Sequence, residues 1–548
     1  MVKQLGDICL QCIAQNLDSI SNVGRRLPTS LKETLLKRLV DHDMLTTSYL
    51  PHITYHLFCP AIRWIEFRYS DQVTDEVLLQ LSYSQCKLQR VTLEGCSNIT
   101  DLGLHTLLSK QDQLIHLRLK DLEKITAKSL QGVKTPQLKN VYITRCNLIS
   151  NDGITTLVKN NPQISTLHIN PSHKMTEEVL PVVAECLQDQ LVDLNICGLY
   201  TVSDEVLLSL GKYCPNIKRL NVDGLVRITS DSLSQLYKVL ESLNFLDLSF
   251  CYKTREPPGN RMLEEVPAKM SSLSLGGLQV EGDRLPQILG RLPMLTDLRL
   301  TGVNTITADV ADKMLKEIGH NLINLNFGGC HLQFDDECLK PVVKYCHNLE
   351  CLSLDLCTRV RGEPLKDLLE DDKRAKKMKV FSFSACKDFC YDILCLLALR
   401  CVNLEELYLS QVKCMGDDVL MTIANNLPLL KYLSLKSCTK GTDPVTDSGV
   451  IELARCCPLQ ELVVSGIHTL TDKSVFALAN SCPDLECFYV SGCNKITTAA
   501  INYLQDMCNG RVHVVHNVPS ADPNLLMAKN LDTGEFLRMD QERYQQLN

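Results

Sequence analysis

Aromatic residues are scarce in this chain of 548 residues: they make up 5 %, with a single tryptophan. A core with so few rings has to be built from Leu, Ile, Val and Cys, which suits thin repeated layers better than a bulky globular interior. Hydrophobic residues still account for 45 % of the sequence and charged residues for 22 %, too apolar a balance for a disordered chain. The composition therefore predicts a folded protein with a layered core.

An excess of positive charge is also missing, since the formal net charge is -7. Nucleic-acid binding needs a strongly basic face, so nucleic acid is not an expected partner. No apolar run approaches the roughly 20 residues that span a bilayer, and Met1 to Ser21 lacks the pattern of a signal peptide. We expect a cytoplasmic or nuclear protein that does not contact a membrane.

Motifs for catalysis are absent as well. The chain has no zinc-ligand array, no glycine-rich phosphate loop and no Ser-His-Asp grouping that its pattern would bring together. Cys9 and Cys12 form a Cys-x-x-Cys pair, but no second pair stands at zinc spacing. The sequence predicts no catalytic residue, no metal site and no cofactor, and it favours recognition over chemistry.

A repeat of about 26 residues fills most of the chain and falls in the range of leucine-rich repeats. Leu88, Val91 and Leu93 are followed by Cys96 and then by Thr100 and Asp101. The block returns, among other places, at Leu138, Val141, Ile143 and Cys146, at Leu322, Leu325, Phe327 and Cys330, and at Leu485, Phe488, Val490 and Cys493. Counting weaker copies from Ile62 onward gives roughly seventeen units.

Each unit predicts a short strand, a turn and a helix. In Leu-x-x-Leu-x-Leu the last two apolar residues lie on one side of a strand and point into the core. A Thr-Asp or Ser-Asp pair then supplies oxygens to the free amides that open an amphipathic helix. Such pairs occur at Thr74-Asp75, Thr100-Asp101, Ser203-Asp204, Thr446-Asp447 and Thr471-Asp472. The predicted fold class is α/β, a solenoid with parallel strands on the concave face and helices on the convex face.

The 27 cysteines have no export signal to accompany them, so free thiols are expected. Eight share the position where the strand turns, and we expect them to act as small apolar fillers with a weak donor. They are Cys96, Cys146, Cys251, Cys330, Cys357, Cys386, Cys438 and Cys493. This pattern, from about residue 60 to 515, resembles the cysteine-containing leucine-rich repeats of F-box proteins and their relatives.

Three segments depart from the repeat. Pro257, Pro258 and Gly259 predict an irregular convex loop over Tyr252 to Lys269. Thr439 to Pro444 lengthens one turn, and the charged run Asp371 to Lys377 is expected to be a solvated loop. Beyond Val515 the repeat stops. The sequence therefore divides into a helical segment at 1–55, a solenoid at 56–515 and a polar tail at 516–548.

The segment ahead of the repeats carries two helical patterns. Leu5, Cys9 and Ile13 stand four residues apart and share one face of a helix. Leu27 and Pro28 lead into a second amphipathic helix with Leu31, Leu35, Leu36 and Leu39.

Together these patterns resemble the Elongin C box and the cullin box of the Zyg eleven family of cullin-ligase substrate receptors. The resemblance implies that Leu5, Cys9 and Ile13 dock on Elongin C. It also implies that Leu27, Pro28, Leu31 and Leu35 meet a cullin. Two alternatives stay open. F-box helices also begin with Leu-Pro and would recruit a Skp-type adaptor, and a solenoid needs a cap on its first repeat.

The concave face is expected to bind a protein substrate through strand residues that flank the buried leucines. The candidates are Arg90, His116, Arg118, Tyr142, Asn195, Asn221, Arg299, Asn326, Asp355, Tyr408, Tyr432 and Tyr489. Two hypotheses result: the substrate receptor of a cullin-RING ubiquitin ligase, or a binding scaffold or inhibitor with no ligase attached.

Overall fold

The structure is a computed structural model of the full chain. It describes residues 5–20, 22–41, 44–170, 174–251, 261–439, 444–508, 512–515, 526–530 and 535–539. The chain divides into two compact units. The first contains Met1–Ser274, Gln287–Asp297 and Gln505–Val512, and the second contains Leu275–Pro286, Leu298–Leu504 and His513–Asn548.

Short parallel strands recur through both units, and within each unit neighbouring strands pair in chain order. Their bounds are β1 Trp64–Arg68, β2 Arg90–Glu94, β3 His116–Lys120, β4 Asn140–Thr144, β5 Thr166–Ile169, β6 Asp193–Asn195, β7 Arg219–Asn221, β8 Phe245–Asp247, β9 Ser272–Ser274, β10 Asp297–Arg299, β11 Asn324–Asn326, β12 Cys351–Ser353, β13 Val380–Ser382, β14 Glu406–Tyr408, β15 Tyr432–Ser434, β16 Glu461–Val463, β17 Cys487–Tyr489 and β18 His513–Val515. An antiparallel pair follows, β19 Leu526–Asn530 and β20 Glu535–Met539.

A 3-10 helix at Ala127–Leu130 lies between β3 and β4, whereas α-helices precede the first strand and then lie between most other pairs of neighbouring strands. Their bounds are α1 Leu5–Gln15, α2 Val23–Arg26, α3 Thr29–Asp41, α4 Leu50–His56, α5 Asp75–Tyr83, α6 Asp101–Leu108, α7 Asn151–Asn160, α8 Val179–Leu187, α9 Asp204–Tyr213, α10 Ser230–Val239, α11 Arg261–Glu264, α12 Leu285–Leu289, α13 Ala308–Ile318, α14 Asp336–Tyr345, α15 Leu365–Glu370, α16 Asp372–Ala375, α17 Tyr391–Arg400, α18 Asp417–Asn426, α19 Asp447–Cys456, α20 Asp472–Ser481 and α21 Thr498–Met507.

The leucines of successive repeats occupy equivalent rungs. In the first unit Val91 pairs with Leu117, and the same rung continues through Val141 and Leu167. In the second unit the rung runs through Leu325, Leu352, Phe381, Leu407, Leu433, Leu462 and Phe488, all buried. The α/β leucine-rich repeat solenoid predicted from the periodicity is confirmed.

The predicted Thr-Asp pairs open helices, but the two side chains bind different partners. Thr100 is the N-cap of α6, and its hydroxyl accepts a hydrogen bond from the Leu102 amide. The Asp101 carboxylate instead accepts from the Thr126 amide (2.7 Å) and hydroxyl (2.6 Å) of the next repeat. We call this arrangement the Asp-Thr clip. It recurs for Asp75 with Thr100, Asp204 with Thr229, Asp417 with Thr446, Asp447 with Thr471 and Asp472 with Thr497.

The cysteines at the end of the strands also join neighbouring repeats. The Cys357 thiol donates to the Phe327 carbonyl at 3.2 Å, and the Cys386 thiol donates to the Leu354 carbonyl at 3.0 Å. The same contact to the preceding repeat occurs at Cys96, Cys251, Cys330, Cys438 and Cys493. The expectation of a small buried filler with a weak donor is confirmed for these seven residues.

The N-terminal helices pack on the first strand. Helix α3 lies against β1, and α1 lies against α3. The Glu33 carboxylate of α3 accepts from the amides of Arg63 (2.6 Å) and Trp64 (3.2 Å), which positions the start of β1. Helices α2 and α4 approach so closely that a Cβ on Gly24 would stand 2.2 Å from the His56 carbonyl oxygen. The segment therefore covers the first repeat, as the capping alternative requires.

The three segments that were predicted to interrupt the repeat differ in how much of them the structure describes and in what they form. Residues 252–260 of the predicted loop at Tyr252 to Lys269 lie outside the described residues, and 261–264 form the short helix α11. Residues 440–443 of the insertion also lie outside them, as does most of the tail. The charged run was predicted to be a loop, and this was wrong: Asp371 caps helix α16, whose Ala375 is fully buried.

Candidate protein-binding surfaces

Helix α1 has one packed face and one open face. Leu10, Ala14 and the following Leu17 are buried, and the Tyr49 hydroxyl donates to the Ala14 carbonyl at 3.0 Å. On the other side of the helix Cys9 is exposed and Ile13 is half-buried. Leu5 begins the helix, and its side chain lies outside the described residues. Of the predicted box, Cys9 is therefore open to a partner, and Ile13 lies at the edge of the packed face.

The second predicted box is divided between surface and core. Pro28 and Leu31 are exposed, with 38 % of Leu31 accessible, and Leu27 is half-buried. Leu35 is fully buried together with Leu36 and Leu39, because this side of α3 covers β1. A partner can reach Leu27, Pro28 and Leu31, whereas Leu35 holds the helix in place.

The candidate substrate residues lie on the sheet surface that faces away from the leucine core. We call this surface the strand face. In the first unit the register aligns Arg90, His116 and Asn140 in one row and Thr92, Arg118 and Tyr142 in the next. These residues flank the buried Val91, Leu117 and Val141, as alternation along a strand requires.

Charged and aromatic groups are linked across the strand face of the first unit. The Arg118 Nε lies 2.6 Å from a carboxylate oxygen of buried Glu94, and its guanidinium stands 5.8 Å above the Tyr142 ring. The Tyr142 ring meets the His168 ring edge to face at 4.7 Å. His168 Nε2 is in turn 3.0 Å from the Asp193 carboxylate.

Several predicted contact residues use their oxygens inside the fold. The side-chain oxygens of Asn195, Asn221 and Asn326 each accept a hydrogen bond from the backbone amide two residues ahead, at 2.7 to 3.0 Å. Asp355 lies beyond the end of β12 and accepts from the Ser384 amide and the Ser382 hydroxyl. These four side chains shape the turn after the strand, so they offer a partner less than the sequence pattern predicts.

The strand face of the second unit is rich in tyrosine and carboxylate. The Tyr408 hydroxyl donates to Glu406 at 2.8 Å, and burial with the charge of Glu406 raises the pKa of Tyr408. Burial, followed by the charges of nearby glutamates, raises the pKa of Tyr432 to about 12. Tyr489 and Arg299 are half-buried. Tyr408 and Tyr432 are therefore neutral at physiological pH.

One cavity of about 420 Å³ opens on the first unit at the start of β1, β2 and β3. It is lined by Arg63, Trp64, Glu66, Gln89, Arg90, Ile115 and His116. Arg90 and His116 were predicted to bind a partner. Arg63, Trp64 and Glu66 were missed, because the first strand has a weaker repeat pattern than the strands after it.

No three His, Cys, Asp or Glu side chains among the described residues are grouped so that they could hold a metal ion. Within the same residues no helix is long and apolar enough to cross a membrane.

Comparison with known proteins finds similarity over part of the sequence. No protein-family model matches the chain. It is 22 % identical over 324 residues to the DNA repair protein rhp7 of Schizosaccharomyces pombe, covering 54 % of this chain and 57 % of that protein. It is 25 % identical over 205 residues to the F-box/LRR-repeat protein 4 of Bos taurus, covering 36 % and 31 %. The aligned region thus spans between about a third and just over half of these relatives.

Solved structures with similarity include a complex of Rad7 and Elc1 from yeast. The match has a TM-score of 0.40 and 18 % identity, and it covers 91 % of this chain and 96 % of that chain. The leucine-rich repeat protein LIC12759 of Leptospira interrogans matches with a TM-score of 0.31 and 15 % identity, over 80 % and 98 % of the two chains.

Proposed function

We propose that this chain is the substrate-recognition subunit of a cullin-RING ubiquitin ligase. The open face of α1 binds the adaptor Elongin C, the exposed residues at the start of α3 meet a cullin, and the strand face holds a protein target. The observation that carries the proposal is the division of α1 into a packed face and an open face, with Cys9 of the predicted box exposed on the open one.

The two faces of α1 support a docking role through simple helix geometry. Successive residues are rotated by about 100°, so Leu5, Cys9 and Ile13 form one stripe and Leu10 and Ala14 another. The second stripe is buried against the fold, and Tyr49 fixes the end of the helix through two hydrogen bonds. A rigid helix that presents a small thiol and apolar side chains suits a hydrophobic groove.

The mechanism is proximity rather than chemistry at this chain. Holding the target on the strand face raises its effective concentration beside the ubiquitin carried by another subunit. The name of the relative F-box/LRR-repeat protein 4 joins an F-box to leucine-rich repeats, which supports an adaptor-binding segment beside the repeats and favours the Skp-type adaptor over Elongin C.

Adaptor capture tests the proposal with single variants rather than with a deletion. Removing residues 1–55 would expose β1, because α3 packs on this strand. A loss of binding could then not be distinguished from a loss of solubility. We expect Cys9→Asp to abolish recovery of Elongin C, since a charge would enter an apolar groove. Gln15→Asp, an exposed change on another side of α1, is the matched control and should bind normally.

Leu31→Asp distinguishes the two adaptors. With an Elongin C box, this change should leave Elongin C bound and release only the cullin. With an F-box, the same change should release a Skp-type adaptor, and Cys9→Asp should change nothing. If the unaltered chain recovers neither adaptor, the ligase proposal is wrong.

A scaffold without a ligase is the second candidate, favoured by the packing of α3 on β1. A plain cap explains that packing without any adaptor. The scaffold predicts that the lifetime of a bound target is the same with the unaltered chain and with Cys9→Asp. A longer target lifetime with Cys9→Asp would contradict it.

A further inference from the structure

The cavity at the start of β1, β2 and β3 has a surplus of hydrogen-bond donors and positive charge. Its lining contains one carboxylate, Glu66, which Lys37 and Arg68 each approach at 3.0 Å. Burial raises the pKa of Glu66, but Arg68 and Lys37 outweigh this and lower it. Glu66 is therefore charged and already paired.

Arg90 has the freer of the two guanidinium groups in the lining, and its charge also contributes to the lowered pKa of Glu66. It is exposed on the first row of β2, and it forms no ion pair with any residue that the structure describes. Arg63, the other guanidinium in the lining, donates to the Pro60 carbonyl at 2.8 Å. A guanidinium can hold a carboxylate with two parallel hydrogen bonds, so Arg90 is equipped for an anionic guest.

His116 and Trp64 add neutral donors beside Arg90. Burial and the charge of Arg90 lower the pKa of His116, so the ring is neutral near pH 7. Its Nδ1 lies 2.9 Å from the Asn140 side-chain nitrogen, which can only donate. The proton of the neutral ring is consequently on Nε2. Trp64 supplies an indole N–H and a flat apolar ring.

We propose that this cavity binds an acidic segment of a partner protein, with the carboxylate of an Asp or Glu on Arg90 and a neighbouring apolar side chain against Trp64. A phosphate carries about two charges at neutral pH and favours several guanidinium groups. Arg63 is partly occupied by the Pro60 and Ile62 carbonyls. Among the described residues Arg90 is therefore the one guanidinium of the lining with all its donors free, and a single such group matches a carboxylate better. Treating the segment as part of a ligase substrate rests on the proposed function, whereas the binding itself does not.

Trp64 makes the cavity directly observable because it is the only tryptophan in the chain. The probe is a pool of acetylated, amidated decapeptides built from Gly, Ser, Leu and Glu, with a matched pool that has Gln in place of Glu. We expect the Glu pool, and not the Gln pool, to change Trp64 emission. Anisotropy of the same peptides carrying fluorescein gives an independent affinity.

Variants of the full chain locate the carboxylate. Arg90→Ala should weaken binding of the Glu pool by about tenfold or more, and Arg90→Lys should recover part of the loss. Arg455→Ala on α19, where the arginine side chain is 66 % exposed, is the matched control and should bind like the unaltered chain.

Three results would overturn the proposal: equal binding of the Glu and Gln pools, unchanged binding by Arg90→Ala, or preference for a phosphoserine pool over the Glu pool. The peptides involve no adaptor, and Arg90→Ala leaves α1 intact. If the Glu peptides do not bind but the chain captures its adaptor, only the proposal of an acidic partner segment is rejected. If the Glu peptides bind but the chain captures no adaptor, only the ligase proposal is rejected.

Discussion

Asp447 illustrates how one side chain joins two repeats. Its carboxylate accepts from the Thr471 amide at 2.8 Å, from the Thr471 hydroxyl at 2.6 Å and from the Ser474 hydroxyl. Burial raises its pKa, but these hydrogen bonds outweigh burial and lower the pKa below the ordinary value of 3.8. The folded chain therefore stabilises the ionised carboxylate of Asp447 more than the unfolded chain does, and this difference adds to the free energy of unfolding.

Asp447→Asn should lower the free energy of unfolding by about 1–2 kcal/mol at pH 7, because an amide cannot accept all three hydrogen bonds. A group with a lowered folded pKa stabilises the fold above its unfolded pKa and loses that effect as the pH falls through the folded value. The difference between the two proteins should shrink below about pH 3.8. Denaturant unfolding of both proteins from pH 2.5 to 7 measures this difference in the free energy of unfolding.

Asp231→Asn is the control for this pair. Asp231 is exposed in the first turn of α10 and its carboxylate is not part of a clip, so its replacement should change stability by less than about 0.5 kcal/mol. A constant difference between the unaltered chain and Asp447→Asn at every pH would contradict the role of the charge.

At the scale of elements, α3 shows how one helix divides between cap and surface. Leu39 and Leu36 are buried on the side that covers β1, while Leu31 is 38 % exposed one to two turns earlier. The regularly spaced leucines of α3 therefore have two roles: the buried ones cap the first strand, and exposed Leu31 is available to a partner.

Leu39→Ala should lower the stability of the chain by about 2–5 kcal/mol, because it opens a cavity between the cap and the first repeat. Leu31→Ala should have an effect below about 0.5 kcal/mol. Thermal unfolding of both variants, followed by circular dichroism, compares them directly. Similar melting temperatures for the two would show that α3 does not hold the first strand.

The strands and helices were predictable because one periodic pattern fixes both. Val91 and Leu325 occupy equivalent rungs, and Thr100 and Thr446 cap helices at the predicted positions. The pattern also placed Arg90 on the strand face. It could not show that the Asp101 carboxylate binds the next repeat, because that partner stands a whole period away.

Other features of the surface depend on contacts that spacing does not encode. Asn195 and Asn221 alternate correctly for exposure, yet their oxygens fold back onto the backbone. Leu35 fits a cullin box by spacing, but it is buried because α3 lies on β1. The assignments of the adaptor and substrate residues remain predictions, for which the variants above provide the test.

Across the whole molecule, the cysteines divide into buried and accessible classes. Burial raises the pKa of Cys330 and Cys438 to about 12, and both thiols donate to backbone carbonyls. Cys9, Cys12 and Cys456 are exposed. Only a thiolate reacts readily with an alkylating reagent, so position in the repeat should decide reactivity.

Iodoacetamide at pH 8 should therefore label Cys9 and Cys12 in the folded chain and leave Cys330 and Cys438 unlabelled until denaturant is added. Peptide mapping by mass spectrometry measures each site. Labelling of Cys330 at the rate seen for Cys12, in folded protein, would mean that the strand-end thiols are not held inside.

The Asp-Thr clip also bears on how such a chain can change over generations. Every clip connects a repeat with its neighbour and with nothing farther away, so duplication or loss of one full period leaves each remaining carboxylate with a hydroxyl to meet. The turn between strand and helix tolerates additional residues as well: Asp417 and Thr446 form a clip across 29 residues, whereas Asp101 and Thr126 are 25 apart. Length can thus evolve in whole modules and in this turn, provided that the threonine still returns to its carboxylate.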